Sequence, residues 1–416
     1  MRSALVVGAG IGGLAVAGGL ARAGWEVTLL ERGDRLRAPN VGLLLRANGV
    51  RALHALGLAD GLDAIASPVP AAGIRRPDGQ WLVQPGAEAG DAALVAHLAD
   101  VYDALVAGLT GRIEIRTGVA VRGVCATGDD RPGVTDGRVE WHADVVVAAD
   151  GVDSVLRARL APESTTVDAG CTAWRAVIPW YRAPQLPPAG NAAPQLPLGG
   201  NAAPQLPAGD GGGGQTLGRG HRFRYALLGA RGSAGDSRRG GIYWVATAPG
   251  AFRPESPAQQ LTLLRRWFAG WHQPIDALLQ ATEPDDLVQQ RVVESRPLPR
   301  SFAFPAGPGG FVLLGDAAHV MPHHLGQGGC LALEDAATLT ALLHDAVPGR
   351  SLRPALEEYA RQRRPRALRM ARRARRAGMV LQARGRLAVR ARDAVLGTLP
   401  AKLLDSSAGW QPPVGS

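Results

Sequence analysis

Lysine is almost absent from this chain. Lys402 is the only one, although the net charge is +10. Any mechanism that needs a lysine must use that residue, close to the end of the sequence. Cysteine is scarce as well. Cys125, Cys171 and Cys330 are far apart and odd in number, which argues against a disulfide framework and for a reducing, cytoplasmic setting. Their spacing fits no zinc site, so no metal is expected. No apolar run reaches the ~18 residues that would mark a membrane span. The opening "MRSALVVGAGIGGLAVAGGLARAG" has the outline of a signal peptide, with Arg2 as its charged end. Its glycines have a use in the fold that cleavage would destroy, so it is read as part of the fold.

The charge is unevenly placed. Arginines crowd residues 359–393, "YARQRRPRALRMARRARRAGMVLQARGRLAVRARD". Such a stretch can be a patch for nucleic acid or an acidic membrane. No nucleic-acid motif and no aromatic interleaving accompanies it. It is therefore read as a solvated helix with a narrow Ala, Leu and Met packing face, and no nucleic-acid partner is expected.

A length of 416 residues fits two or three domains. "SALVV" reads as a buried strand, "GAGIGG" as a turn, the next dozen residues as a small-residue helix, and "WEVTLLER" as a second strand. That order is a βαβ unit with a parallel pair. "ADVVVAADG" and "GGFVLLGD" are further strands of the buried, parallel type. Between about 167 and 295 the sequence turns β-rich and aromatic, which predicts a second, more antiparallel layer with room for a flat organic molecule. Inside it lies a ten-residue repeat built on "APQLP". It is too rich in Pro and Gly to pack a core and is read as an expanded surface loop. The fold class expected is α/β, with a discontinuous Rossmann-like domain, an inserted β-rich substrate domain and a C-terminal helical segment. The divisions are 1–72, 92–166 and 296–345 for the first domain, and 73–91 with 167–295 for the second. The repeat insertion occupies 183–214, and 346–416 is the basic helical end.

Three motifs carry chemistry. In the first, Gly8, Gly10 and Gly13 occupy the G-x-G-x-x-G places, with Ile11 and Gly12 between them. Glycine permits the tight turn and lets backbone N–H groups approach a pyrophosphate at a helix N-terminus. Glu31, with Arg32 beside it, ends the second strand about 20 residues later, where a carboxylate can accept from ribose hydroxyls. An acid there favours a free 2′-hydroxyl, hence FAD or NAD at this site. The second motif is Asp150-Gly151, at the end of a strand and ahead of Arg157. The third is Asp316, which ends an apolar run before the glycine-rich turn Gly326-Gln327-Gly328-Gly329-Cys330 and a helix. Amides at that helix start can stabilise negative charge on a ligand.

In this order the three motifs resemble the single-component FAD-dependent aromatic hydroxylases, the monooxygenases related to p-hydroxybenzoate hydroxylase, salicylate hydroxylase and zeaxanthin epoxidase. "TAWRAVIP", "YWVAT", "RVVESRPLP" and "LEEYARQRRPR" are similar to that family too. The resemblance implies that Glu31 binds the adenosine ribose and that Asp150 and Gly151 lie near the pyrophosphate and the nicotinamide path. It implies that Asp316 holds the ribitol, and that Gly326 to Cys330 bring amides to the pyrimidine edge of the flavin. It further implies NAD(P)H as a transient co-substrate, since no second G-x-G-x-x-G is present. O₂ would add to the reduced flavin as a C4a-hydroperoxide, and one oxygen would pass to an aromatic or polyketide-like molecule by hydroxylation or epoxidation. A monomer or homodimer is expected.

Two departures from the family stand out. Its FAD-contacting arginine is replaced by Leu98, so either a neighbour such as Arg35 or Arg37 substitutes or FAD is held less tightly. Its proline beside the flavin ring is replaced by His323, which either handles a proton or packs while Pro322 does the backbone work. His221, Tyr225 and His323 are candidate bases for a phenolic substrate. Arg46, Arg175 and Trp244 are candidates to face it. The rival readings are an FAD-dependent reductase or desaturase on the same fold, and a non-catalytic flavin-binding protein. A halogenase fits poorly, because Ala176 stands where its second motif tryptophan would be.

Overall fold

The structure is a computed structural model. It describes residues 2–69, 73–84, 93–109, 111–126, 130–184, 213–228, 240–398 and 409–413. Lys402 and nearly all of the repeat insertion lie outside these residues.

The first strand, Ser3–Val7, is flanked by Glu26–Leu30 on one side and Val145–Ala148 on the other, both parallel to it. Ile113–Arg116, Gly309–Leu313 and Ala303–Ala306 extend this to six strands, and only the last is antiparallel. Val145–Ala148 and Gly309–Leu313 are buried throughout. A parallel sheet needs cover on both faces, so its central strands read as unbroken apolar runs. Much of that cover comes from the helices Ile11–Arg22 and Gly328–Leu343, which pack against each other. Their approach is close because the first is rich in glycine: a Cβ at Gly19 would stand 2.5 Å from the Thr340 hydroxyl.

The second sheet has seven strands, in the order Val288–Arg296, Thr165–Pro179, Gly241–Pro249, Arg222–Leu228, Gly213–Leu217, Ile74–Arg75 and Trp81–Val83. It is antiparallel except where Gly213–Leu217 meets Ile74–Arg75. One face is sealed by an aromatic cluster that includes Trp174, Phe223, Trp244 and Phe268, under the helices Pro257–Trp267 and Ile275–Ala281. The other face looks toward the first domain. A small sheet of Gly42–Leu45, Ala93–His97 and Ala66–Val69 lies between them.

The basic region forms a 30-residue helix, Leu352–Leu381. Its packing face is the expected stripe, with Leu356, Ala367, Met370 and Ala374 buried, and most of its arginines point outward. Arg363, at 1% exposure, and Arg366, which pairs with the buried Glu334, are exceptions. The Arg363 guanidinium bonds Asp335 at 2.6 Å and Glu334 at 2.7 Å, inside the helix Gly328–Leu343. Asp335 also accepts from His319 Nε2 at 2.6 Å and from the amide of Gly315 at 3.0 Å. Glu334 accepts from Asn48 Nδ2 at 2.6 Å. Pairing of this kind offsets much of the cost of burying charge. Among the described residues no helix is long and apolar enough to cross a membrane.

Candidate functional site

Two strand-to-helix corners of the six-stranded sheet open into one cavity of about 380 Å³, and the second sheet closes it from above. At the first corner Gly8 has φ +101°, and a Cβ there would come 2.4 Å from the carbonyl of Ala149. A Cβ at Gly13 would be 1.9 Å from the carbonyl of Gly8. Only glycine allows this strand, turn and helix to meet. Gly10 is different. It caps the helix without a side-chain bond, and nothing lies within 4 Å of where its Cβ would point. The first amides of the helix, at Ile11, Gly12 and Gly13, have no intrahelical partner by construction, and these residues line the cavity. Glu31 is fixed beside them, accepting from the amides of Ala9 and Gly33 at 2.8 Å each. Arg32 is exposed.

The second corner repeats the design. Gly315 turns at φ +62°, and Asp316 follows in the cavity lining. Burial pushes the Asp316 carboxyl up, opposed by His319, Arg157 and Arg175. Its Oδ1 lies 3.9 Å from where a Cβ of Gly328 would be, so the carboxylate sits at the start of the helix Gly328–Leu343. That helix also has no side-chain cap, and Gly326, Gly328 and Gly329 line the cavity. Cys330 is absent from the lining. Its thiol is buried behind the loop, takes a bond from the Arg46 amide at 3.3 Å, and is pushed up to about 11 by burial.

Two helix N-termini without caps, aimed into one cavity with a carboxylate beside each, form a cradle for a long ligand that is anionic in its middle and polyhydroxylated along its length. FAD has that chemistry, and the open space at Gly10 and Gly328 is where such a ligand would pass.

The structure revises several expectations for individual side chains. The Asp150 carboxylate does not line the cavity. It accepts from Ser154 Oγ at 2.5 Å and from the Leu156 amide at 3.2 Å, which fixes the start of the helix Val155–Leu160. Its neighbour Gly151, at φ +85°, does line the cavity. Arg157 stitches the two corners together, donating to the carbonyls of Asp316 and Val152 at 3.0 and 2.6 Å.

His221 is on the wrong face of the second sheet. Alternation along its strand sends 221, 223 and 225 one way and 222, 224 and 226 the other. His221 lies against the rings of Trp267 and Phe268 and meets the carbonyl of Arg219 at 3.0 Å. The Tyr225 ring lies over Gly214 in the aromatic cluster behind the sheet, although part of the residue reaches the cavity lining. Trp244 is also behind the sheet, donating to Thr282 Oγ1 at 3.0 Å. Arg46 caps the helix Ala47–Ala55 and donates to the carbonyl of Leu325 at 3.2 Å, so it braces the loop before Gly326 and is absent from the cavity lining.

His323 is in the lining, whereas Pro322 is not. Its Nε2 is 3.2 Å from Thr247 Oγ1. Burial pulls its pKa well below the usual histidine value, helped by Arg175, His324, Arg222 and Arg224. His324 turns away against Gly378 and is pushed down to about 3 by burial and Arg222. Leu98 lines the cavity at the start of its helix, while Arg35 and Arg37 are exposed and outside the lining. Arg175 lines the cavity as expected, joined by Arg222 and Arg224. Sequence reading missed these two. The signal was the alternation in "HRFRYALL", with arginine at every second place.

Comparison with known proteins agrees with this cradle. A family model described as FAD binding domain matches residues 1–187 and 280–374. Aurachin C monooxygenase/isomerase of Stigmatella aurantiaca is 30% identical over 350 residues, covering 82% of this chain and 80% of that protein. The 3-amino-4-hydroxybenzoate 2-monooxygenase of Streptomyces cremeus is 30% identical over 385 residues, covering 89% and 85%. Among solved structures, Klebsiella pneumoniae HpxO complexed with FAD and uric acid superposes with a TM-score of 0.75 at 22% identity, covering 98% of this chain and 95% of that one.

Proposed function

Because the chain belongs to the FAD binding domain family and is an FAD-dependent monooxygenase, we propose that its two corners hold opposite ends of one FAD and that a small aromatic molecule is oxidised beneath the second sheet. When bound, FAD supplies the redox chemistry: electrons taken from NAD(P)H and activation of O₂, one atom of which goes to the substrate and the other to water.

The remaining work falls to the protein. Glu31 accepts from the adenosine ribose, and the amides of Ile11, Gly12 and Gly13 hold the pyrophosphate. Asp316 accepts from the ribitol. The amides at the start of Gly328–Leu343 favour negative charge at the flavin's pyrimidine edge. Leu43, Leu44 and Met321 supply apolar walls that keep water from the reacting atoms. His323 is neutral at pH 7, and with Nε2–H directed at Thr247 Oγ1 its Nδ1 accepts the proton of a substrate hydroxyl. That transfer makes a phenolic ring more nucleophilic. Residue assignments, the cytoplasmic setting and a monomeric or homodimeric state belong to this same reading.

The observation that carries it is the pair of bare helix N-termini facing one cavity, with Glu31, at the end of the second strand, beside one and Asp316 beside the other. The test is spectroscopic and kinetic. Purified protein should be yellow, and aromatic substrates should accelerate NAD(P)H oxidation with matching O₂ uptake and an oxygenated product. Asp316→Ala should lower bound FAD. A colourless protein that takes up no added FAD would refute the reading, and reduction without oxygen transfer would favour a reductase.

A further inference from the structure

The roof of the cavity is cationic, and nothing in the proposed FAD site uses that charge. Strand register sets its geometry. Val245 pairs with Arg175 on one side and with Arg224 on the other. The two arginines are thus two strand spacings apart, about 10 Å between Cα atoms. Thr247, two residues along and on the same face, pairs with Arg222. Arg175, Arg222, Arg224, Val245 and Thr247 all line the cavity.

Other buried or half-buried arginines among the described residues are satisfied by carboxylates or by several carbonyls. Arg363 has two carboxylates, and Arg182 has Asp286 at 2.8 Å. Arg392 has Asp393 at 2.7 Å, and Arg157 has three carbonyls. Among the described residues, Arg175, Arg222 and Arg224 have no carboxylate partner. Arg222, at 6% exposure, reaches only neutral acceptors, Gln215 Oε1 at 2.6 Å and the carbonyl of His324 at 3.3 Å. Its Nε and that of Arg175 are buried without any partner. Arg224 has no hydrogen bond among the described residues. The single carboxylate in the described lining is Asp316, at the flavin corner.

Uncompensated cations held this close raise the free energy of the empty site. Burial first pushes both down, Arg222 to about 9 with help from Arg224 and then Arg46, and Arg224 to about 10 with help from Arg46. Both stay protonated at pH 7. Arg175 lies toward Asp316, whose carboxyl it influences. Arg222 and Arg224 are not among the groups acting on Asp316; Arg46 acts on both, and Arg224 on Arg222, which marks the end of the cavity away from the ribitol site.

We propose that the substrate is an aromatic acid, with its ring between Tyr243 and the apolar wall at Leu43 and Leu44 and its carboxylate held by Arg224 together with Arg222. This rests on the cavity being the FAD and substrate site, and it narrows the substrate class. A neutral alkylated ring would leave the cationic roof uncompensated, whereas a ring-borne carboxylate neutralises it and accepts hydrogen bonds of the charge-assisted kind.

The test uses FAD-loaded protein and a panel of one- and two-ring hydroxyaryl carboxylates, each paired with its carboxamide, with binding read by calorimetry and by perturbation of the flavin spectrum. The acids should bind more tightly than their amides, and Arg224→Gln should weaken them by roughly 10- to 100-fold, the worth of a hydrogen bond to a charged group. Arg224→Lys should recover part of the loss, and the FAD content of both variants should match the parent. Amides that bind as well as acids would overturn the inference. So would an acid preference that survives Arg224→Gln. Protein that proves to lack FAD would overturn the cofactor reading instead, and calorimetry would still report whether the roof selects anions.

Discussion

His323 stands where the resemblance to the aromatic hydroxylases leads one to expect a proline, and its surroundings decide what a histidine can do there. Three arginines and a second histidine depress its pKa on top of burial. A depressed pKa means that the neutral, proton-accepting form persists well below pH 6.5. The sign of the pH effect follows. As pH falls from 8 to 6, an ordinary histidine base would lose activity with a midpoint near its ordinary pKa, whereas His323 should not titrate in that window. The kcat/KM profile for a phenolic substrate should therefore show no inflection near pH 6.5. His323→Ala should lower kcat about 100-fold or more, the usual worth of a positioned base, with FAD content unchanged. Restoring the proline with His323→Pro should not restore the rate. An unaltered kcat in both variants would leave His323 a packing residue and return the backbone role to Pro322.

At the scale of elements, glycines that look alike in the motif do different work. Gly13 is a packing position: its missing Cβ is what lets the helix Ile11–Arg22 touch the first strand, at 1.9 Å from the Gly8 carbonyl. Gly10 is a ligand position: its backbone, φ −72° and ψ 178°, suits any residue, and the space before it is open. The two substitutions should therefore separate. Gly13→Ala should destabilise the apoprotein by about 1–3 kcal/mol through overpacking. Gly10→Ala should leave apoprotein stability within about 0.5 kcal/mol and weaken FAD by roughly tenfold, a loss of about 1.4 kcal/mol. Denaturant melts of both apoproteins, with FAD titrations followed by fluorescence, read the difference. If Gly10→Ala binds FAD like the parent, the open space before this residue is not where the ligand passes.

Across the whole molecule, what the sequence disclosed and what it withheld divide along physical lines. Both corners were legible because each is local: strand, glycine turn, helix and carboxylate lie within about 25 residues of one another. The roof was not, because alternation along "HRFRYALL" separates His221 from Arg222 without saying which set faces a ligand. That choice is made by the helices Pro257–Trp267 and Ile275–Ala281, which cover the His221 side from a distant part of the chain. Asp150 meets the first corner through its backbone, beside Gly8, while its local partner Ser154, four residues on, claims the carboxylate. The burial of Arg363 is written in its spacing, since it falls four residues from Tyr359 and four from Ala367, in the register of the apolar stripe. Through Asp335 it ties the long C-terminal helix to His319 and to the amide of Gly315, the residue that turns the chain into Asp316. Removing one member of such a cluster strands the others in the interior. Arg363→Ala should cost about 3–5 kcal/mol, and FAD should dissociate more readily, because the corner that carries Asp316 loses its brace. Arg373→Ala, on the exposed side of the same helix, should change neither stability nor FAD retention. Equal melting points for the two variants would show that the buried cluster contributes nothing, and that the C-terminal helix is energetically separate from the flavin corner.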